Sequence, residues 1–206
     1  KDISKHKSGY VNILGKPNVG KSTIMNSLVG EKISIITSKA QTTRHRIHGI
    51  VNGDNFQIIY SDTPGILDPG YKLQENMLRA AKSALIDADI ILYVTEPEDN
   101  PDTGDEIISK IRNTNIPVFL VINKTDLASK IKVKELETEW QKILPSAFII
   151  SVSAKKGRNM NRLLNKILKY LPLSPPYFPD DALTDKSEWF FTGEITREKI
   201  FLNYHK

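Results

Sequence analysis

One eight-residue segment near the N-terminus constrains this chain more than any other. Residues 15–22 read GKPNVGKS, and they lie between an apolar run at 10–14 and a helical pattern at 21–29. Glycines near both ends allow a tight turn whose backbone N–H groups point inward, and the following helix adds the positive end of its dipole. A strand, this loop and a helix in that order predict a phosphate-binding site. Within it, Lys21 supplies a cation to the β- and γ-phosphates, and the Ser22 hydroxyl can ligate Mg²⁺.

Alternating strand and helix patterns fill the first 171 residues. The strands at 47–51 and 56–60 flank the turn sequence NGDN, which is typical of an antiparallel hairpin. Elsewhere the alternation indicates βαβ units. We therefore expect an α/β fold with three layers (α/β/α) and a mostly parallel six-stranded sheet with one antiparallel edge strand. The other predicted elements are helices at 74–86, 104–112, 133–144 and 159–171 and strands at 90–95, 118–122 and 148–152.

The sequence Asp62-Thr63-Pro64-Gly65 follows the strand at 56–60. A carboxylate at the carboxyl end of that strand faces the same crevice as the phosphate loop, because ligands of open α/β sheets bind there. Asp62 is expected to hold Mg²⁺ through water. The Gly65 N–H can bond the γ-phosphate, so this segment can tighten with a triphosphate and relax after hydrolysis.

Base recognition is predicted at Asn123-Lys124-Thr125-Asp126, after the strand at 118–122. Guanine presents N1–H and an exocyclic amine, and one carboxylate can accept both. Adenine would leave Asp126 unpaired, a mismatch that can discriminate by about 10⁴ or more. Lys124 can pack along the base, and Asn123 ties the loop to its neighbours. Ser153-Ala154-Lys155 fits as a second base loop, in which the Ala154 N–H meets guanine O6.

A threonine between the first helix and the second strand can complete the Mg²⁺ shell and sense the γ-phosphate. Thr43 is the first choice and Thr42 the close alternative; an ordinary polar loop is the competing interpretation. The predicted GTP-binding residues are Gly15, Lys16, Pro17, Asn18, Val19, Gly20, Lys21, Ser22, Thr23, Asp62, Thr63, Pro64, Gly65, Asn123, Lys124, Asp126, Ser153, Ala154 and Lys155. The predicted catalytic residues are Lys21, Thr43, Asp62, Gly65 and Asn18, and the predicted metal ligands are Ser22, Thr43 and Asp62.

These segments, in this order, resemble a translation-factor-type P-loop GTPase domain. Ile66 stands where Ras-like enzymes place a water-orienting glutamine. The pattern Gly-x-Pro-Asn ending at Asn18 resembles the branch that includes TrmE, Era and EngA. That resemblance implies that Asn18 helps to hold K⁺ near the β- and γ-phosphates, and that KCl supports turnover better than NaCl.

Within this branch the chain resembles the Era family most. Residues 40–46, AQTTRHR, resemble its first switch, and residues 177–185 and 190–199 resemble its linker and the start of its RNA-binding KH domain. The resemblance implies binding to 16S-type ribosomal RNA, assistance in 30S subunit assembly, and peripheral association with the inner membrane in some members. KH domains clamp RNA with a Gly-x-x-Gly loop, and none follows Gly193, so we expect a fragment whose parent binds the RNA.

Composition agrees with this organisation. The chain has 206 residues, a net charge of +5 and no cysteine, which excludes disulfides and thiolate metal sites and fits a cytosolic protein. No run of eighteen apolar residues predicts a membrane span. We expect a nucleotide domain at 1–171, a proline-rich linker at 172–188, and the first strand (189–195) and helix (from 197) of an incomplete KH-like domain at 189–206. A monomer is expected.

Two interpretations stay open. Six Lys/Arg and no acid lie between 155 and 169, and the stripe Arg158, Arg162 and Lys166 either contacts RNA phosphates or is a solvated helix face. The function is predicted to be a slow Mg²⁺-dependent GTPase switch. The alternatives are a nucleotide-gated scaffold with negligible hydrolysis, which Ile66 allows, and a relative acting in tRNA modification or at the membrane.

Overall fold

A six-stranded sheet forms the centre of the molecule. The computed structural model describes residues 5–34, 46–65, 83–99 and 106–203. The strand order is β2-β3-β1-β4-β5-β6, and every neighbouring pair is parallel except β2 and β3. The strands are β1 Lys7–Gly15, β2 Ile47–Asn52, β3 Phe56–Asp62, β4 Ile90–Thr95, β5 Val118–Ile122 and β6 Phe148–Ser151. The described helices are α1 Lys21–Val29, α2 Glu106–Arg112, α3 Lys130–Ile143, α4 Met160–Tyr170 and α5 Glu188–Asn203.

Two hydrophobic cores confirm the predicted three layers. On one face of the sheet, Ile24 of α1 and Leu163 of α4 pack with buried strand residues such as Phe119. On the other face, Ile107 of α2 and Trp140 of α3 pack against alternate strand positions. A parallel sheet needs apolar cover on both faces, and its strands are accordingly almost continuous apolar runs. The hairpin is also confirmed, because β2 pairs with β3 in antiparallel register.

Local capping explains where the observed helix bounds differ from the predicted ones. α3 begins at Lys130 rather than 133 because the Ser129 hydroxyl accepts a hydrogen bond from the Lys132 amide at 3.2 Å. α2 is described from Glu106, so the first residues of the helix predicted at 104–112 lie outside the described ranges. The helix predicted at 74–86 lies mostly outside them too.

The prediction of a strand at 189–195 is wrong, because α5 is one continuous helix. At its amino end, the Phe190 amide donates to the Ser187 carbonyl at 3.0 Å and to the Ser187 hydroxyl at 3.4 Å. Phe190 and Phe191 pack against the first core, and Glu194 and Glu198 are buried, a spacing that suits a helix and not a strand. The Lys32 ammonium also contacts the Glu198 carboxylate at 2.7 Å. Packing against the domain therefore overrides the β-propensity of Trp, Phe, Thr and Ile.

The proline-rich segment between α4 and α5 lies against the sheet. The Gln57 side chain accepts from the Tyr177 and Phe178 amides at 2.7 and 2.9 Å. The Ile50 amide of the edge strand β2 donates to the Leu183 carbonyl at 2.9 Å, so this segment covers that edge. Its division from the nucleotide domain remains a prediction. In the described parts of the chain, no helix has the length and apolar character needed to cross a membrane.

Candidate functional site

The predicted site segments follow the carboxyl ends of four parallel strands. The phosphate loop follows β1, residues 62–65 complete and follow β3, and the two predicted base loops follow β5 and β6. Parallel strands place their carboxyl ends at one edge of the sheet, so these loops meet in one crevice. The crevice is the candidate nucleotide site.

Backbone conformation shapes the phosphate loop. Gly20 has φ +95°, and a Cβ there would lie 2.3 Å from Nδ2 of Asn123. Asn18 has φ 64°, a left-handed conformation that asparagine tolerates better than most residues. The loop is thus held closely against the segment that follows β5, and only a residue without a side chain fits at Gly20.

Lys21 is buried at the start of α1. Its ammonium donates to the Gly15 carbonyl at 3.0 Å and to the Lys16 carbonyl at 2.8 Å. Desolvation lowers the pKa of Lys21 to about 8, although the carboxylates of Asp62 and Asp99 oppose the shift. A buried cation that donates to two neutral carbonyls is suited to an incoming phosphate.

Ser22 and Asp62 bring together the two oxygen groups predicted to bind metal. The Ser22 hydroxyl donates to Oδ2 of Asp62 at 2.6 Å, and Asp62 is fully buried. A hydroxyl beside a carboxylate provides the hard oxygen donors that Mg²⁺ prefers. Among the residues that the structure describes, no cluster of three His, Cys, Asp or Glu could hold a metal alone. These two residues fit Mg²⁺ that takes its remaining ligands from phosphates and water.

The segment after Asp62 is anchored against β1 and the phosphate loop. The Thr63 hydroxyl donates to the Ile13 carbonyl at 2.7 Å. A Cβ at Gly65 would lie 2.8 Å from the Pro17 backbone, so Gly65 closely approaches the phosphate loop. Pro64 is also buried.

Asn123 links three loops through one buried side chain. Its Nδ2 donates to the Val19 carbonyl of the phosphate loop at 2.9 Å. Its Oδ1 accepts from the Ala154 amide at 3.1 Å, and its own amide donates to the Thr95 carbonyl at 2.8 Å. The tie predicted for Asn123 is therefore present, and it connects the phosphate loop directly to both predicted base loops.

Asp126 is positioned for base recognition by the second base loop. The Ser153 hydroxyl donates to Oδ1 of Asp126 at 2.5 Å, and this bond lowers the carboxyl pKa. The Thr125 hydroxyl donates to the Val152 carbonyl at 2.8 Å, which fixes the loop against the end of β6. Asp126 is thus an ionised carboxylate that can accept from N–H donors.

Acidic residues after β4 belong to the site and were missed by sequence reasoning. The Lys124 ammonium contacts Oε2 of Glu96 at 2.5 Å, and that of Lys16 lies 3.7 Å from Asp99. Their place at the site could have been inferred from the sequence, because both acids follow the parallel strand β4, whose carboxyl end lies at the same edge of the sheet. Lys155 is exposed and Thr23 half-buried. Thr42, Thr43 and Ile66 lie outside the described residues.

The fold and these loops define a P-loop nucleotide-binding domain of the GTPase type. The family model described as "50S ribosome-binding GTPase" matches residues 10–124, more than half of the chain. The GTPase Era of Clostridium kluyveri is 45% identical over 194 residues, which cover 94% of this chain and 66% of that protein.

Two solved Era structures show the same relationship. One, from Aquifex aeolicus and bound to GDP and AlF₄⁻, is 42% identical with a TM-score of 0.90, and the match covers 97% of this chain and 69% of the other. Another, an Era complex with MgGDPNP and nucleotides 1506–1542 of 16S ribosomal RNA, is 43% identical with a TM-score of 0.91 and covers 98% and 69%. The chain belongs to the Era family of GTPases. It spans about two thirds of the length of these relatives.

Proposed function

We propose that this chain is the nucleotide-binding part of a GTP-hydrolysing switch. The observation that carries the proposal is the buried Asn123 amide, which joins Val19 of the phosphate loop to Ala154 of the second base loop. One nucleotide can then contact Lys21 with its phosphates and Asp126 with its base. Asp126 selects guanine by accepting from N1–H and the exocyclic amine.

The proposed catalytic roles follow from charge and position. The buried Lys21 ammonium exchanges its contacts with two carbonyls for contacts with the β- and γ-phosphates, and the Gly65 N–H bonds the γ-phosphate. Ser22 and Asp62 would hold Mg²⁺, which when bound neutralises charge on the transferred phosphoryl group. Thr43, or Thr42, would complete the metal shell. The GDP affinity of an Asp62→Asn variant should depend much less on Mg²⁺ than the GDP affinity of the unsubstituted chain does.

Hydrolysis is proposed to be slow and to depend on K⁺. The Ile66 side chain has no group that can orient the attacking water. A bound K⁺ therefore has to supply positive charge near the β- and γ-phosphates. Asn18, at an exposed left-handed position of the phosphate loop, is the proposed ligand. Turnover should be faster in KCl than in NaCl of equal ionic strength, and Asn18→Ala should remove the difference. Equal rates in the two salts would contradict this role.

Single-turnover phosphate release tests the enzymatic proposal. Excess protein is mixed with GTP and Mg²⁺ in KCl, and phosphate is followed against a protein-free control and a Lys21→Ala variant. Release above the control rate that is lost in the variant supports a GTPase. Tight GTP binding with release at the control rate would instead indicate a nucleotide-gated scaffold.

We further propose that the parent protein binds 16S-type ribosomal RNA and assists 30S subunit assembly in the cytoplasm. This rests on the relative whose complex contains MgGDPNP and 16S ribosomal RNA. The RNA contacts are assigned to the part of the full-length protein that lies outside this 206-residue chain. Peripheral association of the full-length protein with the membrane is a further expectation. RNA corresponding to the 3′ end of 16S ribosomal RNA should bind the full-length protein more tightly than this 206-residue chain. Equal affinities would contradict the assignment.

A further inference from the structure

The two edges of the sheet differ in how far the described residues cover them. At one edge, β2 is covered by the segment before α5, since the Ile50 amide bonds the Leu183 carbonyl and Gly49 bridges Thr184. At the other edge, no described strand pairs with the outer side of β6. Unpaired strand edges are templates for another extended chain.

The backbone of β6 presents hydrogen-bonding groups outward. The Val152 amide donates inward to the Ile122 carbonyl of β5 at 2.8 Å. Peptide groups alternate along a strand, so those of Ile150 also face β5 and those of Ile149 and Ser151 face away. The Ser151 carbonyl accepts from the Asn159 side chain at 2.8 Å. In the parts of the chain described, the two outward amides and the Ile149 carbonyl have no recorded partner.

A groove follows this edge between α3 and α4. We define the β6 groove as the cleft of about 490 Å³ lined by the four residues of β6 and by Glu137, Gln141, Asn159, Arg162 and Lys166. A second cleft of about 480 Å³ shares Glu137, Ser151 and Asn159 with it and continues to Asp126 of the base loop. The β6 groove is therefore a trough along an open strand, and its far end reaches the candidate nucleotide site.

The charged side chains that line the two clefts are mostly cations, with Asp126 and Glu137 as the acids. Arg158, Arg162 and Lys166 lie on the α4 side, and Lys130 and Lys134 line the continuation on the α3 side. The acid in the groove, Glu137, accepts a hydrogen bond from the Ser151 hydroxyl. None of the four β6 side chains, FIIS, is charged, so the strand itself carries no charge that opposes pairing.

We propose that the β6 groove docks an extended acidic peptide segment of a partner protein. The peptide adds as a seventh strand to β6, with the Ile149 and Ser151 amides donating to its carbonyls. Its acidic side chains contact Arg162 and Lys166. The directional row of backbone groups favours a peptide over a nucleic acid, which would use the cations and leave those groups unpaired.

The test uses a fluorescein-labelled heptapeptide, DVEVDVE, and the 206-residue chain. We expect saturable anisotropy changes, together with slowed amide hydrogen exchange at Ile149 and Ser151. The double variant Arg162→Glu/Lys166→Glu should weaken binding about tenfold or more, whereas Lys169→Glu, an exposed charge change elsewhere on α4, should stay within about twofold. GDP affinity of each variant checks that the fold and nucleotide site are intact.

Three outcomes would overturn the proposal. The first is equal binding of a peptide that is N-methylated at every backbone amide, which blocks strand pairing along both of its edges. The second is peptide binding without protection of the Ile149 and Ser151 amides. The third is absence of peptide binding while pentauridylate binds in a manner lost in the double variant, which would assign the groove to RNA. Because GDP affinity is measured in parallel, failure of peptide docking is distinguishable from failure of the proposed GTPase function.

Discussion

Replacing Asn123 by alanine tests the link between the phosphate loop and the base loops. Asn123 is only 2% exposed, and the substitution removes its bonds to the Val19 carbonyl and the Ala154 amide. Two lost hydrogen bonds, with buried groups left unpaired, should lower the free energy of unfolding by about 2–4 kcal/mol. A domain of this size can tolerate that loss, since typical unfolding free energies are about 5–15 kcal/mol.

Nucleotide binding gives the more specific result. In the proposed binding mode, a single GTP or GDP would span the loops that Asn123 connects, whereas guanosine and pyrophosphate would each contact one side. Asn123→Ala should therefore weaken GDP binding more than it weakens binding of either fragment, as measured by isothermal titration calorimetry. Asn113→Ala, at an exposed asparagine after α2, is the matched control and should change stability by less than about 0.5 kcal/mol. Equal losses for GDP and both fragments, or a stability change as small as that of the control, would refute the bridging role.

Three further perturbations have defined outcomes. Without nucleotide the pKa of Lys21 is about 8, and a bound phosphate raises this pKa. GDP affinity should therefore fall about tenfold between pH 7 and pH 9, and GDP binding at pH 9 should be accompanied by uptake of a proton. Calorimetry in two buffers of different ionisation enthalpy measures this proton uptake, and its absence would contradict the role of Lys21. Gly20→Ala should weaken GDP binding about tenfold or more, because its Cβ would lie 2.3 Å from Asn123, whereas Gly30→Ala, with equally left-handed backbone and open space, should not. Gly193→Ala should raise the free energy of unfolding by about 0.5–1 kcal/mol, because alanine loses less backbone entropy than glycine in a helix and its Cβ meets no other atom; destabilisation in urea titrations would argue against a helix there.

Strong local patterns made most of the fold readable from sequence. Apolar runs at β1, β4 and β5 are almost fully buried, and such runs between turn signals indicate parallel strands. The turn sequence NGDN between β2 and β3 likewise identified these two strands as an antiparallel pair. The phosphate and base loops were also found correctly as neighbours, because loops after parallel strands meet at one edge.

Contacts between distant parts of the chain were not readable. The segment of α5 has strand-forming residue types, and the contact of Glu198 with Lys32 joins positions more than 160 residues apart. The Gln57 side chain binds the Tyr177 and Phe178 amides in the same long-range manner. Glu96 is a different case: its position after β4 was a usable signal for the site, and only its ion pair with Lys124 was not readable from the sequence.

The most direct test of guanine recognition exchanges the base partner of Asp126. The Ser153 hydroxyl donates to one oxygen of this carboxylate, which the proposed binding mode pairs with the base. An Asp126→Asn variant replaces one acceptor by an amide donor, which suits the carbonyl that xanthine carries in place of the guanine amine. In competition with labelled GDP, the variant should lose affinity for GDP and gain affinity for XDP, with Lys156→Ala as a nearby control that keeps the preference for guanine. An unchanged preference for GDP in Asp126→Asn would contradict the central claim that this loop reads a guanine base.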